Sequence, residues 1–365
     1  MENREHTNSD ATRRAFLGGV GAMGLSVASG PSWANGATAE KVLPPKSPMG
    51  IATTANAAHM RGLDVIEPMR NDPVRYLEYC RSLGAGGVQT AVRTDLKRFR
   101  QRLEELDMFY EGEAALPYHP DDDLTAFEQS MLNAKELGAN CVRAVSRPPK
   151  GGNRRYTTFM TMEDYRSWEA QANAVVEKVM PIVERIGVGL ALENHKDRTS
   201  DEHLAILKKI DSEYLGALID PGNNISLMED PTETVTKLAP YAMATSLKDM
   251  GIAPYEKGFL LSEVRFGTGI KDQYELFSIM RKHNPKINPI QELITRDPLE
   301  IPILTTQYWE TIPGYSGRDV AAMMERAAAY TTPLPKISHL SAAQHLKIEE
   351  DNNRDTFQWA MSRAF

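Results

Sequence analysis

VGLALENHKDRTSDEHLAILKKIDSEYLGALID, residues 188–220, contains one full period of the pattern that decides the fold. An apolar run at 188–193 ends on Glu193, Asn194 and His195. A helical pattern follows at 200–210, and a second apolar run at 215–220 ends on Asp220. Both runs are too short for helices and too apolar for a half-solvated strand, so they predict strands covered on both faces. Two such strands joined by a helix form a parallel crossover unit.

The same alternation extends in both directions. Upstream it predicts strands at 49–53, 87–90, 109–114 and 141–145, with helices at 73–83, 96–106, 124–137 and 162–186. Downstream it predicts a helix at 231–238, a strand at 241–247, a helix at 273–283, a strand at 287–293 and a last helix at 320–330. Eight strand–helix alternations with right-handed crossovers give a single α/β (β/α)8 barrel over 49–335, preceded by a linker at 40–48 and followed by a C-terminal extension at 336–365. A doubly wound open sheet is the alternative. It would carry a glycine-rich dinucleotide turn after strand 1, and none stands there, so no nucleotide cofactor is expected.

The chain has 365 residues and a net charge of −7, with acidic and basic residues interleaved. That balance offers no footprint for nucleic acid or an anionic membrane surface. The first 39 residues differ from the rest: Thr12-Arg13-Arg14-Ala15-Phe16-Leu17 precedes a glycine-rich, weakly apolar stretch, then Ser32-Trp33-Ala34 and Ala37-Thr38-Ala39. A basic start, a short apolar region and small-residue cleavage sites predict an export signal, and the paired arginines predict the Tat machinery as its partner. The expected location is periplasmic or extracellular. The apolar stretch is too short for a stable membrane anchor. Cys80 and Cys141 fall on helix 1 and strand 4 and are expected to be buried small apolar residues, not a bridge.

In such barrels chemistry sits where strands end. Those positions are Gln89, Glu113, Arg143, Glu193 with His195, Asp220 with Asn223, Lys248 with Asp249, and Glu292. Carboxylates at the ends of strands five, six and eight would converge, and converging carboxylates repel unless a cation joins them. Lys248 is expected to pair with Asp249, Glu193 or Asp220, or to stand beside a substrate oxygen. Arg143 and Arg296 either hold mouth carboxylates or, for Arg296, orient a substrate acid or phosphate. Trp309 and Tyr315 are expected as buried loop anchors more than as a sugar platform.

Leu192-Glu193-Asn194-His195, Ile219-Asp220-Pro221-Gly222-Asn223, Leu247-Lys248-Asp249, Gly267-Thr268-Gly269 and Gln291-Glu292-Leu293-Ile294-Thr295-Arg296-Asp297-Pro298 occur in an order that resembles the xylose isomerase-like barrels. The resemblance spans about residues 49–330 and is more specific for superfamily than for substrate. It implies a small carbohydrate substrate and a divalent metal, Mn²⁺ before Mg²⁺, held by Glu193, Asp220 and Glu292. It also implies that Glu193 and Glu292 exchange protons with the sugar. From their places at strand ends and in the loops that follow, Lys248 is expected to assist, and His195, Asn223, Arg143, Glu113 and Arg296 to contact substrate. The family's strand-seven His falls on Ser246, and the His often found after the strand-six Asp is replaced by Asn223.

The expected function is therefore an exported isomerase or epimerase that abstracts a proton next to a carbonyl with metal assistance. The alternatives are a lyase eliminating from a 3-keto glycoside and a non-catalytic sugar-binding barrel. A DNA-repair endonuclease on the same barrel would need a His-rich metal cluster and a basic face, which are not visible. Monomer and homo-oligomer both stay open.

Overall fold

The computed structural model describes residues 42–149, 152, 154–363 and 365. The export signal expected at 1–39 lies outside the described residues. Among those described, no helix is long and apolar enough to cross a membrane. Residues 43–365 form one compact unit.

Its strands are β1 (Gly50–Ala52), β2 (Gly87–Thr90), β3 (Phe109–Glu113), β4 (Cys141–Ala144), β5 (Gly189–Glu193), β6 (Leu215–Ile219), β7 (Ala242–Thr245), β8 (Asp249–Tyr255), β9 (Gly258–Val264), β10 (Ile290–Gln291) and β11 (Leu299–Ile301). Its helices are α1 (Ala57–Arg61), α2 (Pro73–Leu83), α3 (Leu96–Glu105), α4 (Thr125–Glu136), α5 (Arg155–Thr158), α6 (Met162–Ile186), α7 (Ser200–Ile210), α8 (Pro231–Leu238), α9 (Gln273–His283), α10 (Thr306–Trp309), α11 (Gly317–Ala329) and α12 (Ala342–Met361). Eight parallel strands run in the order β10-β1-β2-β3-β4-β5-β6-β7. A parallel bridge between Leu247 and Gln291 closes the ring, with Leu247 N–H donating to Ile290 and Glu292 N–H to Leu247, each at 2.7 Å. This is the single (β/α)8 barrel expected.

Local chemistry starts the helices where the pattern placed them. Asp72 caps α2 by accepting from Val74 and Arg75 N–H, with Pro73 in the first turn, where a missing N–H does no harm. Thr199 and Glu202 form a reciprocal capping box on α7.

Two expectations need correction. The last barrel helix is not at 320–330, and 336–365 is not an appendage. After β7 the chain makes a β8–β9 hairpin, and β11 pairs with β9 to complete a separate antiparallel sheet. Helix α11 packs on that sheet, where Met323 and Ala327 join Ile252, Phe259, Leu261 and Ile301 in a second core. The eighth barrel helix is α12. Phe357 and Ala360 enter the main core, Arg354 donates to Ser82 O in α2 at 2.9 Å, and Phe365 stacks on Phe277 of α9. Glu349 ties this helix down by accepting from Ala58 N–H, His59 N–H and the His59 ring. Cys80 and Cys141 are buried and free, as expected.

Inside the barrel, side chains two residues apart on a strand share a face. On β3 this stacks Phe109, Glu111 and Glu113 from floor to mouth. Gly87 leaves room for the floor, since a Cβ there would lie 2.3 Å from the Phe109 ring. Above it, Cys141, Ala191, Leu218 and Ala244 fill the interior with small and apolar groups. One step further up stand Arg143, Glu193, Asp220 and Ser246. The period of the strand therefore lifts these four to the mouth together.

Glu111 is buried in the middle layer, where Gln89 and Asn288 donate to it at 2.8 and 3.0 Å. Burial pushes its carboxyl up from 4.5 to about 7 despite those donors. A folded-state pKa above the unfolded one means stability that is complete below about pH 4.5 and lost as pH rises to about 7, on the order of 3 kcal/mol. Urea unfolding at pH 4.5 to 8 should show Glu111→Gln losing less stability over that interval than wild type. Parallel curves for the two proteins would remove Glu111 from the account.

Candidate functional site

Glu193 ends β5, Asp220 follows β6 and Glu292 follows β10, and all three are buried. They offer ligand-capable oxygens that all lie within 4.8 Å of one another. The placement of Glu292 on the same mouth as the other two is the outcome the strand-end reading required. As an oxygen set, the trio could hold a divalent cation.

The trio is not bare. Lys248 Nζ lies 2.6 Å from Asp220 Oδ2 and 2.8 Å from Glu292 Oε2, with its side chain 2% exposed. Arg143 Nη2 lies 2.5 Å from Glu193 Oε2 and 3.4 Å from Glu292 Oε1, and its Nη1 reaches Glu113 at 3.2 Å. Ser246 Oγ donates to Glu292 Oε2 at 2.8 Å, and Thr54 Oγ1 donates to Oε1 at 2.5 Å. Asp220 is aimed by its loop, because its Oδ1 accepts the N–H groups of Gly222 and Asn223 at 2.8 and 3.0 Å, leaving Oδ2 for the ammonium. Asn223 donates to Glu193 Oε1 at 3.0 Å and accepts from the buried Lys196.

Lys248 thus pairs with Asp220, as expected, and with Glu292, which the sequence reading did not foresee. It does not pair with Asp249. Neighbouring residues on a strand face opposite ways, and Asp249 instead accepts the N–H groups of Gly267 and Gly269 at 2.8 and 2.9 Å. Gly269 is required there: a Cβ would lie 1.8 Å from Asp249 Oδ1. Arg296 is held by the Glu263 carboxylate of β9. His195 stands half-buried at the mouth. Trp309 donates to Ile303 O at 2.9 Å and packs on Tyr308 and Tyr315, which makes it a loop anchor. Thr54, Lys196 and Glu263 went unlisted in the sequence reading. Their signal is weak, since a polar residue in a loop is ordinary and Glu263 belongs to the unforeseen hairpin.

These contacts set protonation unevenly. Burial pushes Glu193 up to about 7 against the pull of Arg143, and burial also raises Asp220. Burial opposes the charge on Glu292, but Lys248 and Arg143 outweigh it and hold that carboxyl well below its usual range. Lys248 and Arg143 keep their protons more tightly than usual because the carboxylates outweigh their burial. Burial, then Lys248 and Arg296, bring Lys196 down to about 7. Burial with Lys196 and Lys248 keeps the His195 ring neutral.

Residues 77–300 match the family described as xylose isomerase-like TIM barrel. The chain belongs to this family. It is 30% identical over 227 residues to the 3-oxo-isoapionate decarboxylase of Pectobacterium atrosepticum, covering 59% of this chain and 75% of that one. Its fold resembles the IOLI protein with a bound zinc atom, with a TM-score of 0.52 at 14% identity over 86% of this chain and 99% of the other. It also resembles the D-allulose 3-epimerase of a Methylomonas species, with a TM-score of 0.50 at 11% identity over 88% and 99% of the two chains.

Arg143 touches three carboxylates at once, so truncating it leaves buried charges unpaired. Arg143→Met should lower unfolding free energy by about 3–5 kcal/mol in urea at pH 7. A loss below about 1 kcal/mol would show that the carboxylates do not depend on it.

Proposed function

We propose that the protein is a sugar-modifying enzyme, an isomerase or epimerase that moves a proton on carbon beside a carbonyl. One observation carries the reading: two buried carboxyls, Glu193 and Glu292, stand at one barrel mouth with Arg143 and Lys248 between them and Asp220. Glu193 is pushed up to about 7, whereas Glu292 is held ionised. Such a split assigns acid and base between chemically identical groups. Glu292 accepts the carbon-bound proton, Glu193 returns one, and Arg143 and Lys248 offset the negative charge that develops on the carbonyl oxygen. Asn223 orients Glu193 through Oε1. The substrate-contact roles of His195, Glu113 and Arg296 belong to the same proposal. A divalent ion held by Glu193, Asp220 and Glu292 in place of the Lys248 ammonium would polarise that carbonyl instead, and oxygen donors suit Mn²⁺ or Mg²⁺ better than zinc.

The similarity to a 3-oxo-isoapionate decarboxylase supports a second reading, loss of CO₂ from a 3-oxo sugar acid. The electron pair left by the departing CO₂ needs the same cations, and Glu193 supplies the proton to carbon. The two readings separate in D₂O. Keto sugars and 3-oxo sugar acids incubated with the enzyme should exchange a carbon-bound proton without gas release in the first case, and release CO₂ in the second. Glu193→Gln and Glu292→Gln should each slow the reaction by about 10²–10⁴-fold. Neither exchange nor CO₂ from any such compound, with sugars still bound, would favour the non-catalytic barrel.

Export belongs to the same proposal and rests on residues 12–39. Replacing Arg13 and Arg14 by Lys should retain the precursor in the cytoplasm, because the export receptor distinguishes guanidinium from ammonium. Undiminished recovery outside the cytoplasm would sink it.

A further inference from the structure

We infer that the Lys248 ammonium occupies the cation position of this site, so that a divalent ion binds only by displacing it. The argument is geometric. An ion bound to Asp220 Oδ2 and Glu292 Oε2 would lie roughly 2.0–2.6 Å from each. The ammonium nitrogen already lies 2.6 and 2.8 Å from those same two atoms. Both cations would claim the same two oxygens and stand within about 5 Å of each other, where their charges repel and neither oxygen can serve both fully.

The chain is shaped for this occupant. Ser246 and Lys248 are two residues apart and present their side chains to the same side, and both reach Glu292 Oε2 at 2.8 Å. A serine at 246 meets that oxygen with a short hydroxyl and leaves it accessible to the lysine as well. Gly222 clears the lysine's path: a Cβ there would meet Met250 Sδ at 2.9 Å and Lys248 Cγ at 3.1 Å. The Gly222 and Asn223 N–H groups fix Asp220 with its free oxygen toward the ammonium. Arg143 covers Glu193, the third member. Each carboxylate of the trio therefore has a cation supplied by the chain. This inference concerns ion binding alone and stands whichever reaction the site performs.

Isothermal titration of MnCl₂ into the EDTA-treated full-length protein tests it, with thermal unfolding as the check on folding. Wild type should bind Mn²⁺ weakly and show no rise in Tm with the ion. Lys248→Met should bind at least tenfold more tightly. Ser246→His with Lys248 in place should gain little, and the double variant should bind most tightly. Wild-type binding as tight as that of Lys248→Met overturns the inference, as does a folded Lys248→Met with no gain. If Lys248→Met does not fold, the other two proteins decide: tight binding by wild type, or a tenfold gain in Ser246→His alone, overturns it.

Discussion

Three buried carboxyls with oxygens inside 4.8 Å of one another set the terms for the barrel mouth. At that separation, with an effective dielectric near 20, each ionised pair repels by about 3–4 kcal/mol. Three pairs approach the whole net stability of an ordinary domain. Cations must enter or protons must stay, and this protein does both. Arg143 and Lys248 enter, and Glu193 and Asp220 hold protons more tightly than free carboxylates. The acid–base asymmetry is thus a by-product of a charge problem created by burial.

The barrel makes that problem unavoidable and also solves it. Alternation along β3, β4, β5 and β6 brings Glu113, Arg143, Glu193 and Asp220 to one level above an interior of Cys141, Ala191 and Leu218. No loop has to search for these partners, because strand period and register deliver them. Loops supply the finer aim, as the Gly222 and Asn223 amides do for Asp220. Helix α12 seals the ring from outside, where Asn353 accepts from Gln291 of β10 at 2.7 Å and donates to the turn after β1.

Strands and most helices were legible because their cause is local. Strand 87–90 and helices 73–83, 162–186, 200–210, 231–238 and 273–283 end where a cap, a glycine or a change of period ends them. Strand ends also gave Glu193, Asp220 and Glu292. Partner choice was less legible. Lys248 neighbours Asp249 in sequence, yet the pleat separates them and a nonlocal contact with Glu292 replaces that pair. Likewise, eight alternations could be counted to 330 without seeing that one helix serves another sheet. The run from Asp249 to Val264, apolar around a Glu256-Lys257 turn, was the overlooked hairpin signal. Once β8, β9 and β11 claim α11, the barrel needs another helix, and only the C-terminal segment remains.

A carbon acid needs positive charge near its carbonyl oxygen, and the physics does not specify which cation supplies it. An ammonium and a guanidinium carry one charge each and direct it through N–H bonds, so they act at fixed angles. A divalent ion concentrates twice the charge at one point but must be acquired. A site whose cations are part of the chain is complete when the chain has folded. Folding before export would be useful to a protein that loads its metal in the cytoplasm, but that reasoning has no force for a mouth balanced by Arg143 and Lys248. The export proposal then depends on Arg13, Arg14 and the small-residue sites after them, and on nothing in the barrel.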